Sequence, residues 1–351
     1  MIDIQEISSR VPLFAGLDPD DLQFVLRVAR RLEFATGAML VRQGQAADSA
    51  LIMEGGRVSV VSALPGGGEA VMAELGPGSV LGEMALLDSG VRCANVVARE
   101  PTVCLSMERD AFRLLIAQGN RAVLAINHRI TLGLCQRLRE LNGKILAHST
   151  PEHLAATAIT HMQQEQRQRC AFDYRPFLAL LPALRHFNAE DLDELSGAAD
   201  GFDLPRGALL FAAGERSESG YVVVRGALEI SREKNGEHRR IGILGPGRLC
   251  GILALIESAP HSMSATAREN VTLMEIPKAV FERYYNGTAR GALKFQQAVN
   301  QELLQALART NNHLTRLISQ ARIRDHSQHV DKLVDELGRA LCEQDCRAGH
   351  G

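Results

Sequence analysis

The chain has 351 residues, 46% of them hydrophobic and 23% charged, an ordinary globular composition long enough for two domains with a remainder. No run of eighteen apolar residues occurs, which excludes a transmembrane helix and any membrane partner of that kind, and the opening MIDIQEISSR lacks the basic-then-apolar order of a secretory signal. Net charge is −2, from 39 basic and 41 acidic residues; with 4% aromatics and no Trp, this argues against wholesale nucleic-acid binding.

Seven cysteines, an odd number and widely spaced, do not make a disulfide framework, and a cytoplasmic location is expected. In chain order, DPDDLQFVLRVARRLEF reads as a helix, with Asp18 as its cap, Pro19 at the first position and Asp21 in the first turn. Short runs separated by glycines follow: MLVRQG, SALIMEGGRVSVVSA, EAVMAELGPGSV, CANVVA and TVCLSME. These read as strands. A long helical pattern begins near Glu108. Its stripe of Val123, Ile126, Ile130, Leu134, Leu138, Leu141 and Ile145 suits packing on its own domain or on a partner helix, and leaves a homodimer open. Ser149-Thr150-Pro151-Glu152 then starts a linker helix that runs to about Arg169, and Asp173-Tyr174-Arg175-Pro176 breaks it.

From there the chain repeats itself at an offset of 170. Gly37-Ala38-Met39-Leu40 returns as Gly207-Ala208-Leu209-Leu210, Gly44 as Gly214 and Gly56 as Gly226. After a one-residue deletion, Leu75-Gly76-Pro77-Gly78 returns as Leu244-Gly245-Pro246-Gly247, and Ala98-Arg99-Glu100 as Ala267-Arg268-Glu269. A unit this long is a domain, not a solenoid repeat. The second copy closes with Phe295, Val299, Leu303, Leu307, Leu314 and Leu317. The division expected is a first domain with closing helix over 1–148, a helical linker over 149–172, a second domain with closing helix over 173–318, and a C-terminal helix and tail over 319–351.

The stretch from Gly78 to Asn95 carries the chemistry. A glycine turn, a Glu, a short helical triplet, a loop and an Arg entering a strand suit a small phosphate ester. Backbone N–H groups at a short helix start favour an anion, and one guanidinium grips two phosphate oxygens.

Gly82-Glu83-Met84-Ala85-Leu86 followed by Arg92-Cys93-Ala94 resembles the phosphate-binding cassette of the cyclic nucleotide-binding domain family, which includes the catabolite activator protein and the protein kinase A regulatory subunits. The resemblance covers about 10–145 and, more weakly, about 177–318. It implies a mainly β fold with flanking helices: two tandem β-rolls of the double-stranded β-helix, jelly-roll-like type, each closed by a long α-helix. It also implies the ligand-binding residues. Glu83 accepts the ribose 2′-hydroxyl, Arg92 pairs with the cyclic phosphate, and backbone N–H groups around Gly82, Met84 and Ala85 complete the anion site. Cys93 contributes its backbone N–H, and Asn142 on the closing helix is the polar candidate to meet the base. The absence of a Thr at position 93 leans toward cyclic AMP over cyclic GMP.

The second cassette departs from the pattern. Ile252 stands at the Glu position and His261 at the Arg position, and Glu257 comes five residues too late to substitute. Burying the phosphate without its counter-charge costs roughly 3–5 kcal/mol, over about 100-fold in affinity. The second domain is therefore expected not to bind cyclic nucleotide.

After the second copy about 35 residues remain, too few for a helix-turn-helix with its wing. No catalytic constellation stands out, and no enzyme activity, cofactor or metal site is expected. The Cys342, Cys346 and His350 set offers three ligands where structural zinc takes four. The reading is a cyclic nucleotide sensor that signals to an unidentified protein partner. Two alternatives stay open: an atypical cyclic-AMP-responsive transcription regulator, and a ligand-free scaffold.

Overall fold

The computed structural model describes residues 9, 11–63, 69–87, 90–92, 94–148, 167–170, 172–234 and 237–317. Cys93, most of the linker, the 319–351 segment and the Cys342, Cys346 and His350 set lie outside them. Helix α1 (Pro19–Val28) starts as the sequence predicts, the Asp18 carboxylate accepting from the amides of Asp20 and Asp21. It ends sooner: Ala29 is extended and Arg30–Phe34 is a strand. The alternating RRLEF suits the polar flank of a helix as well as a sheet edge, and tertiary pairing decides.

The strands of the first domain are β1 (Arg30–Phe34), β2 (Met39–Val41), β3 (Ala46–Ala47), β4 (Ser49–Gly55), β5 (Val58–Ala63), β6 (Glu69–Leu75), β7 (Val80–Leu81), β8 (Gly90–Val91), β9 (Asn95–Ala98) and β10 (Thr102–Glu108). Two antiparallel four-stranded sheets form, ordered β1-β10-β4-β7 and β2-β9-β5-β6, with β3 and β8 as a separate pair. Inward residues from both sheets, among them Val41, Met53, Val58, Val96 and Cys104, make the core between them. The predicted roll is thus two facing sheets with free edges, not a closed barrel. Helix α2 (Met84–Leu87) lies in the cassette, followed by α3 (Arg109–Ala117) and α4 (Arg121–His148). The predicted long helix is therefore two. Gly119 takes a left-handed φ of 71°, and the Asn120 side chain accepts from the Val123 amide at 3.0 Å to start α4.

In the second domain the strands are β11 (Gln168–Arg169), β12 (Asp200–Leu204), β13 (Leu209–Phe211), β14 (Ser219–Arg225), β15 (Leu228–Lys234), β16 (Glu237–Leu244), β17 (Leu249–Cys250), β18 (Ser264–Ala267) and β19 (Val271–Pro277). Its helices are α5 (Ala189–Gly197), α6 (Ile252–Ile256), α7 (Lys278–Tyr285) and α8 over 290–317. The sheets run β11-β12-β19-β14-β17 and β13-β18-β15-β16. β11 corrects the linker: its end is no helix but an edge strand, Gln168 opposite Asp203, with Arg167 bound to Glu275 at 2.6 Å. The repeat recurs bond for bond. Gly37 donates to Ala98 O at 2.9 Å and Gly207 to Ala267 O at 2.7 Å; Met53 donates to Ser79 O at 2.9 Å and Val223 to Arg248 O at 3.0 Å.

The α4 stripe is spent within the chain. Ile126, Ile130, Leu134 and Leu138 join one core with Phe281, Phe295, Val299 and Leu303 of the second domain. Each such side chain contributes about 1.5–3 kcal/mol on burial, and this part of the stripe packs against the second domain. Within the α4–α8 contact the buried Asn300 amide donates to Asn127 Oδ1 at 3.0 Å and accepts from the Thr131 hydroxyl at 2.7 Å. These polar groups satisfy each other and hold one register between the helices.

Candidate functional site: the two cassettes

In the first cassette the backbone is set by a left-handed turn. Gly82 has φ 69°, and a Cβ there would come within 2.2 Å of Arg92 Nη1. Only glycine lets the guanidinium approach this closely. Arg92 is aimed by its own backbone, whose amide donates to Gln45 O and whose carbonyl accepts from Gly44 N, both at 2.8 Å. Its side chain is 9% exposed. Nη2 donates to Ser49 O at 2.7 Å and to Ser49 Oγ at 3.1 Å, and the Asp48 carboxylate lies 3.8 Å away.

Glu83 follows the turn directly, with its side chain 23% exposed. Arg137 of α4 places Nη1 3.4 Å from its carboxylate and 3.7 Å from Met84 Sδ. The Ala85 amide donates to Gly82 O at 2.9 Å, closing the turn, so that N–H is already engaged. The structure thus brings Gly82, Glu83, Met84, Ala85 and Arg92 together. Ser49, Asp48 and Arg137 are neighbours that the sequence reading missed. Their contacts come from strand pairing and helix packing, for which a linear sequence carries no signal.

Asn142 is not part of this site. It is 8% exposed and lines a cavity of the second domain, because α4 leaves the first domain before that point and continues along the second. Its assignment to the base of a first-domain ligand is withdrawn.

The second cassette keeps the scaffold without the charges. Gly251 repeats the left-handed turn at φ 78°. His261 repeats the backbone pattern of Arg92, donating to Glu215 O and accepting from Gly214 N, both at 2.8 Å. Its ring stacks on Phe211, centroids 3.7 Å apart. Burial pushes its pKa down to about 4, Glu215 opposing and Arg139 adding to the shift, so the imidazole is neutral at pH 7. Ile252 is buried. Glu257 is held by Arg139 of α4, which also donates to Pro260 O at 3.3 Å.

Two charged cassette residues flank a glycine turn on a two-sheet roll with a closing helix, an arrangement suited to a small anionic ligand. Residues 31–119 and 202–287 each match the model of the cyclic nucleotide-binding domain, and the chain belongs to that family, carrying two such domains. It is similar to a cyclic AMP receptor protein of Thermus thermophilus, 35% identical over 129 residues, or 37% of this chain and 58% of that one. It is also similar to a cAMP-dependent protein kinase regulatory subunit of Yarrowia lipolytica, 24% identical over 271 residues, or 77% of this chain and 58% of the relative. The chain therefore spans less than two thirds of each of these relatives. Among solved structures, the regulatory domain of Toxoplasma gondii protein kinase A with cAMP aligns at 18% identity and a TM-score of 0.31, over 81% of this chain and 93% of that one. Among the described residues, no helix is long and apolar enough to cross a membrane.

Proposed function

We propose that this protein is a regulatory sensor of cyclic AMP, in preference to cyclic GMP, with one ligand site per chain, in the first domain. Arg92 pairs with the cyclic phosphate and Glu83 accepts the ribose hydroxyl. The observation that carries this reading is the buried Arg92 guanidinium packed over the Gly82 turn with Glu83 beside it. Family membership supports it, and two relatives both bear cyclic AMP in their names. The second cassette offers no carboxylate at position 252 and a neutral ring at 261, so it does not take the nucleotide phosphate. Output passes through protein contacts and not through catalysis: the ligand favours one arrangement of α4, and a protein partner reads it.

Calorimetric titration of the full chain tests this. Cyclic AMP is expected to bind once per chain, cyclic GMP more weakly, and Arg92→Ala to weaken binding over about 100-fold, as loss of a buried charge partner implies. No heat with either nucleotide refutes the sensor reading, and a stoichiometry of two refutes the silent second domain.

A further inference from the structure

The second cassette lacks the charges of the first but is not filled in. A cavity of about 280 Å³ remains beside it, close to the lower end of small-molecule sites, roughly 300–1,000 Å³. Its walls come from four sources. Ile252 and His261 belong to the cassette, Ile241 and the half-exposed Ile243 to β16, and Leu303 to α8. Leu138 and Asn142 come from α4, the closing helix of the first domain.

This lining is mainly apolar, yet two polar side chains more than nine-tenths buried face it. Asn142 is 8% exposed and His261 is 7% exposed. Neither side chain makes a hydrogen bond among the described residues. Both side chains line the open space, so a guest in it can exchange hydrogen bonds with them. The charged side chains on the wall, Glu302 and Arg309, are bound to each other at 3.1 Å, and Glu302 also takes Arg248.

We infer that the second domain is a binding site for an uncharged, predominantly apolar small molecule with one hydrogen-bonding group, held between its cassette and the first domain's closing helix through Asn142 and His261. Ile252 offers no acceptor for a sugar hydroxyl, and a neutral imidazole both donates and accepts a hydrogen bond. The same substitutions that exclude a phosphate ester therefore suit a neutral guest.

The test uses the full chain with three probes: indole, 2-naphthol and 1-naphthoate. The chain has no Trp, so indole emission is read without background. Saturable binding of indole or 2-naphthol, once per chain and with blue-shifted emission, is expected. Asn142→Leu is expected to weaken it at least tenfold. Ala306→Phe, which fills the cavity from α8, is expected to abolish it. Arg92→Ala should leave it unchanged, which separates this site from the cyclic AMP site. Should Ala306→Phe fail to fold, Ile241→Phe fills the same space from β16. Absence of saturable binding by both neutral probes overturns the inference. So does binding indifferent to Asn142→Leu and the filling variant, or tighter binding of the anionic 1-naphthoate than of 2-naphthol.

Discussion

Replacing His261 by Phe isolates the cost of holding a neutral histidine where the first domain holds an arginine. The ring is buried against Phe211, and its pKa is pushed down from 6.5 to about 4. Between those values the unfolded chain binds a proton that the folded chain refuses. Stability therefore rises with pH across that window and falls on acidification. At 1.36 kcal/mol per pH unit the full gap is worth ~3 kcal/mol, of which about 2 kcal/mol is lost between pH 7 and pH 5. Phe keeps the stacking surface and has nothing to titrate. Urea denaturation followed by circular dichroism at pH 7, 6 and 5 gives two stability curves, and carboxylate titrations common to both proteins cancel in their difference. The wild type is expected to lose about 2 kcal/mol more than His261→Phe over this range. Parallel curves would show that His261 is not held neutral by burial, and the account of the silent cassette would fail with it.

Other perturbations reach the first site and the helix contact. Gly82→Ala places a methyl on a left-handed residue within 2.2 Å of the Arg92 guanidinium, and cyclic AMP affinity measured by calorimetry is expected to fall at least tenfold. Gly143→Ala, in α4 with nothing within 4 Å of the new methyl, is the matched control and should raise stability by about 0.5–1 kcal/mol. Asp48→Asn removes an exposed carboxylate 3.8 Å from Arg92 that competes with the phosphate; affinity should rise about two- to fivefold at low salt and less at high salt. Asn300→Leu strands the Asn127 side chain in the α4–α8 contact, while the Thr131 hydroxyl keeps Asn127 O at 2.8 Å, and should cost about 1–3 kcal/mol in urea denaturation.

Much of this was legible in the chain itself, because the signals were local or repeated. The cap at Asp18, the glycine turns and the cassette spacing need only neighbours in sequence, and the 170-residue offset carried the reading of the first copy to the weaker second one. The failures share a cause. RRLEF is a strand because β10 lies beside it, and Gln168–Arg169 is a strand because β12 offers an edge. Asn142 was assigned by its place along the closing helix, which is sound only while that helix serves one domain. Here α4 crosses from one domain to the other, and no local pattern marks the crossing.

That crossing gives α4 its mechanical character. Arg137 and Arg139 stand two positions apart, and residues so spaced point to opposite sides of a helix. One meets Glu83 of the first cassette, and the other meets Glu257 in the loop of the second. A nearly full turn further on, Asn142 enters the second domain's cavity, while Asn127 and Thr131 are fixed to Asn300 near the other end. A ligand that engages Glu83 competes with Arg137 at the half-exposed pair, where the exchange is cheap. Any resulting turn of α4 is then felt at Arg139 and Asn142, which are less exposed and where displacement is costly. On the two proposals made above, linkage is reciprocal: a guest in the second cavity shifts cyclic AMP affinity by the factor with which cyclic AMP shifts that of the guest. Arg137 and Asn142, five positions apart on α4, thus put the proposed cyclic AMP site and the proposed second-domain site on one stretch of the same helix.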